Sequence, residues 1–124
     1  MSRLSALKLQ SMLPAVARTT SANGSAIDLS TTVHTLGRQM KAYLDVGAVT
    51  TAGALDVKIQ EDSTSGFGTA ADISGAAFTQ VTSGTGGEEL HFRATKRYVR
   101  AVATFTTAGG YTFGVTLLTE PRIT

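Results

Sequence analysis

Two histidines, His34 and His91, are the chain's candidates for proton transfer near neutral pH. A hydrolytic triad needs such an imidazole beside a hydroxyl nucleophile and oriented by a carboxylate. Serine and threonine occur throughout the sequence, so a hydroxyl near either histidine discriminates nothing, and no G-x-S-x-G elbow is present. His91 stands between Leu90 and Phe92, which in an alternating strand turns it away from the core. No acid, base and nucleophile set can be named from these residues, and the expectation is a protein that is not an enzyme.

Glu61 and Asp62, with Asp72 further along, are the carboxylates that could gather around calcium, which takes about six to eight oxygens. Their spacing matches no EF-hand loop, and acids in a polar loop are ordinarily solvated. The run Ser83-Gly-Thr-Gly-Gly87 has the glycines of a phosphate cradle. It lacks the terminal Gly-Lys-Ser/Thr, however, and leads into Glu88 and Glu89, which repel phosphate. A tight turn is the better reading, and neither a metal nor a cofactor is expected. Arg93, Lys96, Arg97 and Arg100 form the one basic cluster. They fit a docking patch for an acidic surface or nucleic acid, or a solvated turn leading into a strand. The nearby Glu88 and Glu89 favour the solvated turn. Arg97 and Arg100 are kept as candidates for self-association.

Composition narrows the elements that could position these groups. The 124 residues fit one domain, which at this size can bury roughly two-thirds of its unfolded surface without a staple. There is no cysteine, which removes disulfides, thiolate metal sites and cysteine nucleophiles. A net charge of +2 is small for a nucleic-acid binder despite a pI of about 9.2, and no nucleic-acid partner is expected. Threonine is abundant and 13 glycines supply turns, a mixture that suits pleated sheet. No stretch reaches the roughly 18 apolar residues of a membrane helix, and no membrane partner is expected. Arg3 followed by Ala15-Val16-Ala17 has the outline of a secretory signal. Lys8, Gln10 and Ser11 interrupt its apolar stretch, so the segment is read as part of the protein.

Alternation recurs in short pieces. Met40, Ala42, Leu44 and Val46 share one face of a strand over Gln39–Val46, and Leu55, Val57 and Ile59 share one face over Leu55–Gln60. These two are expected to form a hairpin around 47–54. Ala26–Leu29, Phe78–Val81 and Leu90–Phe92 read as short strands, and 61–75 as a polar loop anchored by Phe67 and Ile73. Tyr98–Phe105 puts Val99, Ala101, Ala103 and Phe105 on one face and Tyr98, Arg100, Val102 and Thr104 on the other, and Tyr111–Leu118 points Phe113, Val115 and Leu117 inward. Turns at this spacing, without helical periodicity, predict an all-β domain: an antiparallel β-sandwich (jelly-roll-like) or small barrel of about seven or eight strands.

The first 25 residues read differently, as an extended N-terminal arm and joint ahead of a sandwich at 26–120 and a tail at 121–124. Pro14 rules against a helix here, and the arm carries Leu4, Leu7, Leu9, Met12 and Leu13. About eighteen extended residues of it reach roughly 60 Å, against a radius of gyration near 13 Å for a domain of about 100 residues. Its leucines are not expected to stay in water. They either return as a strand of their own sandwich or lie across a neighbour as an added strand.

Leu55-Asp-Val-Lys-Ile-Gln60, Asp72-Ile-Ser, Ala77-Phe-Thr-Gln-Val81, Glu89-Leu-His-Phe-Arg93, Arg97-Tyr-Val-Arg-Ala-Val-Ala103 and Phe113-Gly-Val-Thr-Leu-Leu118 together resemble a sequence type of phage structural proteins. The chain looks like the small head decoration, or cement, proteins of tailed bacteriophages. That resemblance implies a virion protein on the outer surface of the phage head, bridging neighbouring copies of the major capsid protein. It further implies self-association, with a homotrimer favoured and a homodimer the alternative. Tail or head–tail joint proteins are the neighbouring possibility. A carbohydrate-binding module is the other class, with Tyr43, Tyr98 and Tyr111 as its stacking platform.

Overall fold

The computed structural model describes residues 8–29 and 39–119, which form nine strands. They are β1 (Lys8–Arg18), β2 (Ala22–Asn23), β3 (Ile27–Asp28), β4 (Gln39–Thr51), β5 (Ala54–Asp62), β6 (Ala71–Ala77), β7 (Gly86–Arg93), β8 (Tyr98–Thr107) and β9 (Gly110–Thr119). Two antiparallel sheets face each other as a β-sandwich. The first runs β1-β9-β4-β7; the second runs β2-β8-β5-β6, with β3 also pairing with β8.

Alternation builds both inner faces. Met40, Ala42, Leu44 and Val46 of β4 and Tyr111, Phe113, Val115 and Leu117 of β9 are all at most 4% exposed. Across from them lie Leu55, Val57 and Ile59 of β5 and Val99, Ala101 and Ala103 of β8, equally buried. The hydrophobic effect on this interdigitated layer is what joins the sheets.

β4 and β5 do not make the expected hairpin. β4 pairs with β9 and β7, whereas β5 pairs with β8 and β6, so the link between them crosses from one sheet to the other. The cause is a corner of glycines. A side chain at Gly53 would collide with the backbone of Ala108 and Gly109, so no other residue lets the β4–β5 and β8–β9 links lie back to back. The Tyr111 hydroxyl clamps this corner, donating to the Gly53 carbonyl and accepting from its N–H, both at 3.0 Å. The 61–75 segment is loop only at 63–70, because β5 runs on to Asp62 and Ala71–Ala77 forms β6; Phe67 of the loop and Ile73 of β6 are buried, each 8% exposed. The Phe78–Val81 stretch contributes a single bridge, Leu55 to Val81, in place of a strand.

The arm's described part is β1, an edge strand antiparallel to β9. Its register shifts twice, between Ser11 and Leu13 and between Leu13 and Val16. A bulge lets consecutive residues face the same way, so Met12 and Leu13 both enter the core at 1% and 4% exposure. Pro14 falls within the second irregularity, the kind of edge position where its missing N–H costs least.

Candidate functional site

Among the described residues, the large exposed apolar side chains lie on strands of the first sheet, whose outer face carries Leu9 and Tyr43. The register places them in two rows across all four strands. One row is Leu9, Leu118, Lys41 and His91; the other is Ser11, Thr116, Tyr43 and Glu89. Leu9 is 69% exposed and Tyr43 is 47% exposed, although both are large and apolar. With Leu118, Thr116, Lys41 and Glu89 they line a groove of about 340 Å³. Tyr43 lies across Gly87 of the neighbouring strand, where any side chain would strike its ring.

Charge is confined to the β4–β7 side of the groove. Glu89 Oε1 is 2.7 Å from His91 Nε2 and 3.7 Å from Lys41 Nζ. The His91 contact first, and the Lys41 charge second, hold the Glu89 carboxyl below its ordinary range. His91 is exposed, and its partner is this carboxylate, not a hydroxyl. An apolar floor with a charged rim can bury a partner's aliphatic or aromatic side chain and orient it by ion pairs.

Of the arm leucines, Leu9 stands in this groove. Met12 and Leu13 are instead enclosed by their own sandwich, because the bulged β1 turns both inward. Leu4 and Leu7 lie outside the described residues, as do His34 and the 121–124 tail. Arg97 and Arg100 are on the other sheet and are already engaged. Arg97 binds Asp28 through two bonds of 2.9 and 2.8 Å, which raise its pKa, and stacks over Tyr98. Arg100 donates twice to Gln60 Oε1 and lies 4.5 Å from the centre of the Phe67 ring. As anchors for a second copy they would first have to leave these partners.

The three tyrosines do not form one platform. Tyr43 is on the first sheet, Tyr98 on the second, and Tyr111 is 1% exposed inside the core. The acidic loop is also divided among separate tasks. Glu61 accepts from the Thr95 N–H and hydroxyl and from the Lys96 N–H. Asp62, shielded from solvent, accepts from Thr64 and Thr69 through both N–H and hydroxyl groups. The Thr64 N–H does most to lower its pKa to about 2; burial opposes this, and the Thr69 bonds add to the lowering. Asp72 accepts from Gln60 and Lys58, and both bonds lower its pKa. The Gly-rich turn has Gly84 and Gly86 at positive φ and lines a second cavity, of about 250 Å³, floored by Leu44 and Val46.

Reading the sequence missed Leu118, Thr116 and Lys41 as parts of one surface. A signal existed for the first. Leu117 and Leu118 are adjacent in an alternating strand, so one of them must face outward.

No protein-family model matches the chain, and no curated protein matches it. Among solved structures, the K1 cleaved adhesin domain of Lys-gingipain from Porphyromonas gingivalis W83 is similar at a TM-score of 0.46. The two are 11% identical, over 92% of this chain and 73% of that one.

Proposed function

We propose that this chain is a structural assembly protein that docks through the outer face of its first sheet, as a decoration protein on the outside of a tailed-phage head. The observation that carries the docking is the exposed Leu9, Tyr43 and Leu118 groove with its Lys41–Glu89 rim. The sequence resemblance supplies the setting and the partner, the major capsid protein. Each contact of this size would be modest, since a specific stable interface buries about 1,200–2,000 Å² in total. Many contacts on a symmetric shell reinforce one another when several copies are linked, because each later contact forms at high effective concentration. Bridging neighbouring capsid subunits in this way would resist their separation.

The test is the copy number of the chain in purified particles, measured by quantitative mass spectrometry against the major capsid protein. A ratio near one, or a simple fraction of it, is the expected result for a protein spread over the head lattice. A handful of copies would transfer the protein to the tail or the head–tail joint. Absence from particles would overturn the virion role.

A further inference from the structure

Among the described residues four strand edges border the two sheets, and three carry features that discourage pairing with another chain. β1 is bulged twice and contains Pro14. β6 has a register shift against β5 and Gly75 at a φ of 76°. β2 and β3 are two residues each. Beyond its first residue, Gly86 at a φ of 141°, β7 has none of these features. It pairs with β4 residue by residue from Gly86–Val46 to Arg93–Gln39 without a shift, and among the described residues no second strand pairs with it. A straight edge of this kind presents its outward N–H and C=O groups as a template for one more strand.

The sequence of β7 says which strand fits. Gly86-Gly-Glu-Glu-Leu-His-Phe-Arg93 is acidic in its first half and basic in its second. Antiparallel pairing with a second copy places the two halves opposite each other, and the register decides which side chains meet. Opposed residues must share a face, which restricts the centre of the pair to whole residues. A centre at Leu90 sets Glu89 against the partner's His91 and His91 against the partner's Glu89. These residues lie on the outer face, opposite Tyr43 and Lys41 of β4. Leu90, packed against the core, meets the partner's Leu90 on the inner face. A centre at Glu89 would confront two carboxylates. A centre at His91 would shorten the paired stretch from Gly87–Arg93 to Glu89–Arg93.

We infer that β7 is a self-pairing edge, joining two copies of the chain through an antiparallel β7–β7 contact centred on Leu90. The first sheets of the two copies then form one continuous sheet. A two-fold axis perpendicular to that sheet keeps its faces distinct, so both Leu9–Tyr43–Leu118 grooves open on the same side. The pairing stands apart from the docking reading; its consequence, a doubled docking surface with the gain of bivalency, rests on that reading.

Sedimentation equilibrium of the full chain over micromolar concentrations tests the pairing. The wild type is expected to dimerise, and Glu89→Lys and His91→Glu each to weaken the dimer by about tenfold; the first removes the acceptor facing each His91, and the second sets carboxylates opposite in two symmetric places. The double variant E89K/H91E restores both pairs and is expected to recover the wild-type constant to within about threefold. Circular dichroism of the variants confirms that these exposed substitutions leave the fold intact. Amide exchange at high and low concentration should show protection gained in Gly86–Arg93 and unchanged in Lys8–Arg18. A chain that stays monomeric, a dimer indifferent to both charge reversals, or protection gained on β1 would each overturn the pairing. Leu9→Ser keeps the two ideas separate. It should leave the dimer constant unchanged, so loss of particle binding with an intact dimer bears on docking alone.

Discussion

The two outer faces of the sandwich belong to antiparallel sheets that share one core, yet they treat water in opposite ways. On the second sheet, polar side chains are wired to one another across the strands. Arg100 of β8 donates to Gln60 of β5, Gln60 donates to Asp72 of β6, and Lys58 of β5 closes the chain on Asp72 at 3.0 Å. Gln80 and Thr106 likewise converge on Asp56. Hydrogen-bonding groups matched in this way have little to offer a partner, and covering them would remove water from charges that are only partly compensated. On the first sheet the β1–β9 side carries Leu9 and Leu118, with Tyr43 beside them. Covering that surface releases water from apolar area and breaks few bonds. A face wired to itself is suited to solvent, and a face left apolar at its edge is suited to contact. This difference, more than any single residue, is the reason for assigning docking to the first sheet.

The largest expected effect separates the two sides of β1 itself. Met12 and Leu9 belong to one strand, but Met12 is 1% exposed and Leu9 is 69% exposed. Met12→Ala removes a buried side chain and should destabilise the chain by about 2–4 kcal/mol, read from urea unfolding midpoints. A loss under about 0.5 kcal/mol, the usual scale of a surface change, would mean that β1 is not part of this core in solution.

A second effect concerns the loop at the end of the wired face. Asp62 has a pKa of about 2, down from an ordinary value of 3.8. The folded chain therefore binds this proton less tightly than the unfolded chain. The carboxylate's contribution is complete above the ordinary value and is lost as pH falls towards 2. Thermal midpoints of the wild type should drop across that window, and Asp62→Asn should have a lower midpoint at pH 6 and a shallower drop. Parallel curves for the two proteins would remove Asp62 as the acid-sensitive group, leaving Asp72 and Glu89, whose pKa values are also lowered.

Much of this contrast was legible in the sequence, but unevenly. Period-two alternation placed the inner faces of β4, β5, β8 and β9 correctly, because a buried face needs an apolar residue at every second position. Partner choice was not legible. Leu55–Gln60 would pair equally well beside β4 or beside β8, and the Gly53–Gly109 corner that decides between them is a contact distant in sequence. The bulge in β1 was hidden for a related reason. Met12 and Leu13 break alternation, and a broken pattern reads as an irregular arm until a partner strand shows that both side chains face inward. The proposed docking face was the least legible part, since its rows combine single residues from four strands.

The wired face should prove useful for stability and dispensable for contact. Gln60→Ala removes the acceptor of Arg100 and a donor to Asp72 together, and should cost about 0.5–1.5 kcal/mol, the net worth of such bonds. Particle binding should stay at the wild-type level in a sedimentation assay with purified heads. Loss of binding without loss of stability would transfer docking to the second sheet and invert the comparison.

The smallest effect on stability is expected where the effect on contact is greatest. Leu9→Ser and Tyr43→Ser change side chains that are already largely in water, so the transfer free energy lost on folding is small and unfolding midpoints should move by no more than about 0.5 kcal/mol. In a bound state the same side chains are buried. Removing a well-buried apolar anchor from an interface centre typically costs about 2 kcal/mol, a loss of some thirtyfold in affinity. Repetition over a shell magnifies a deficit of that size, because each weakened contact lowers the chance that its neighbours stay engaged. Leu118→Ser tests the same groove from β9 and should behave as Leu9→Ser does, since the two residues are cross-strand partners. Binding that survives both leucine substitutions would show that the exposed row does not meet the shell, however apolar it is. Binding lost together with stability would show instead that Leu9 supports the fold, and the separation between the inner and outer sides of β1 would fail.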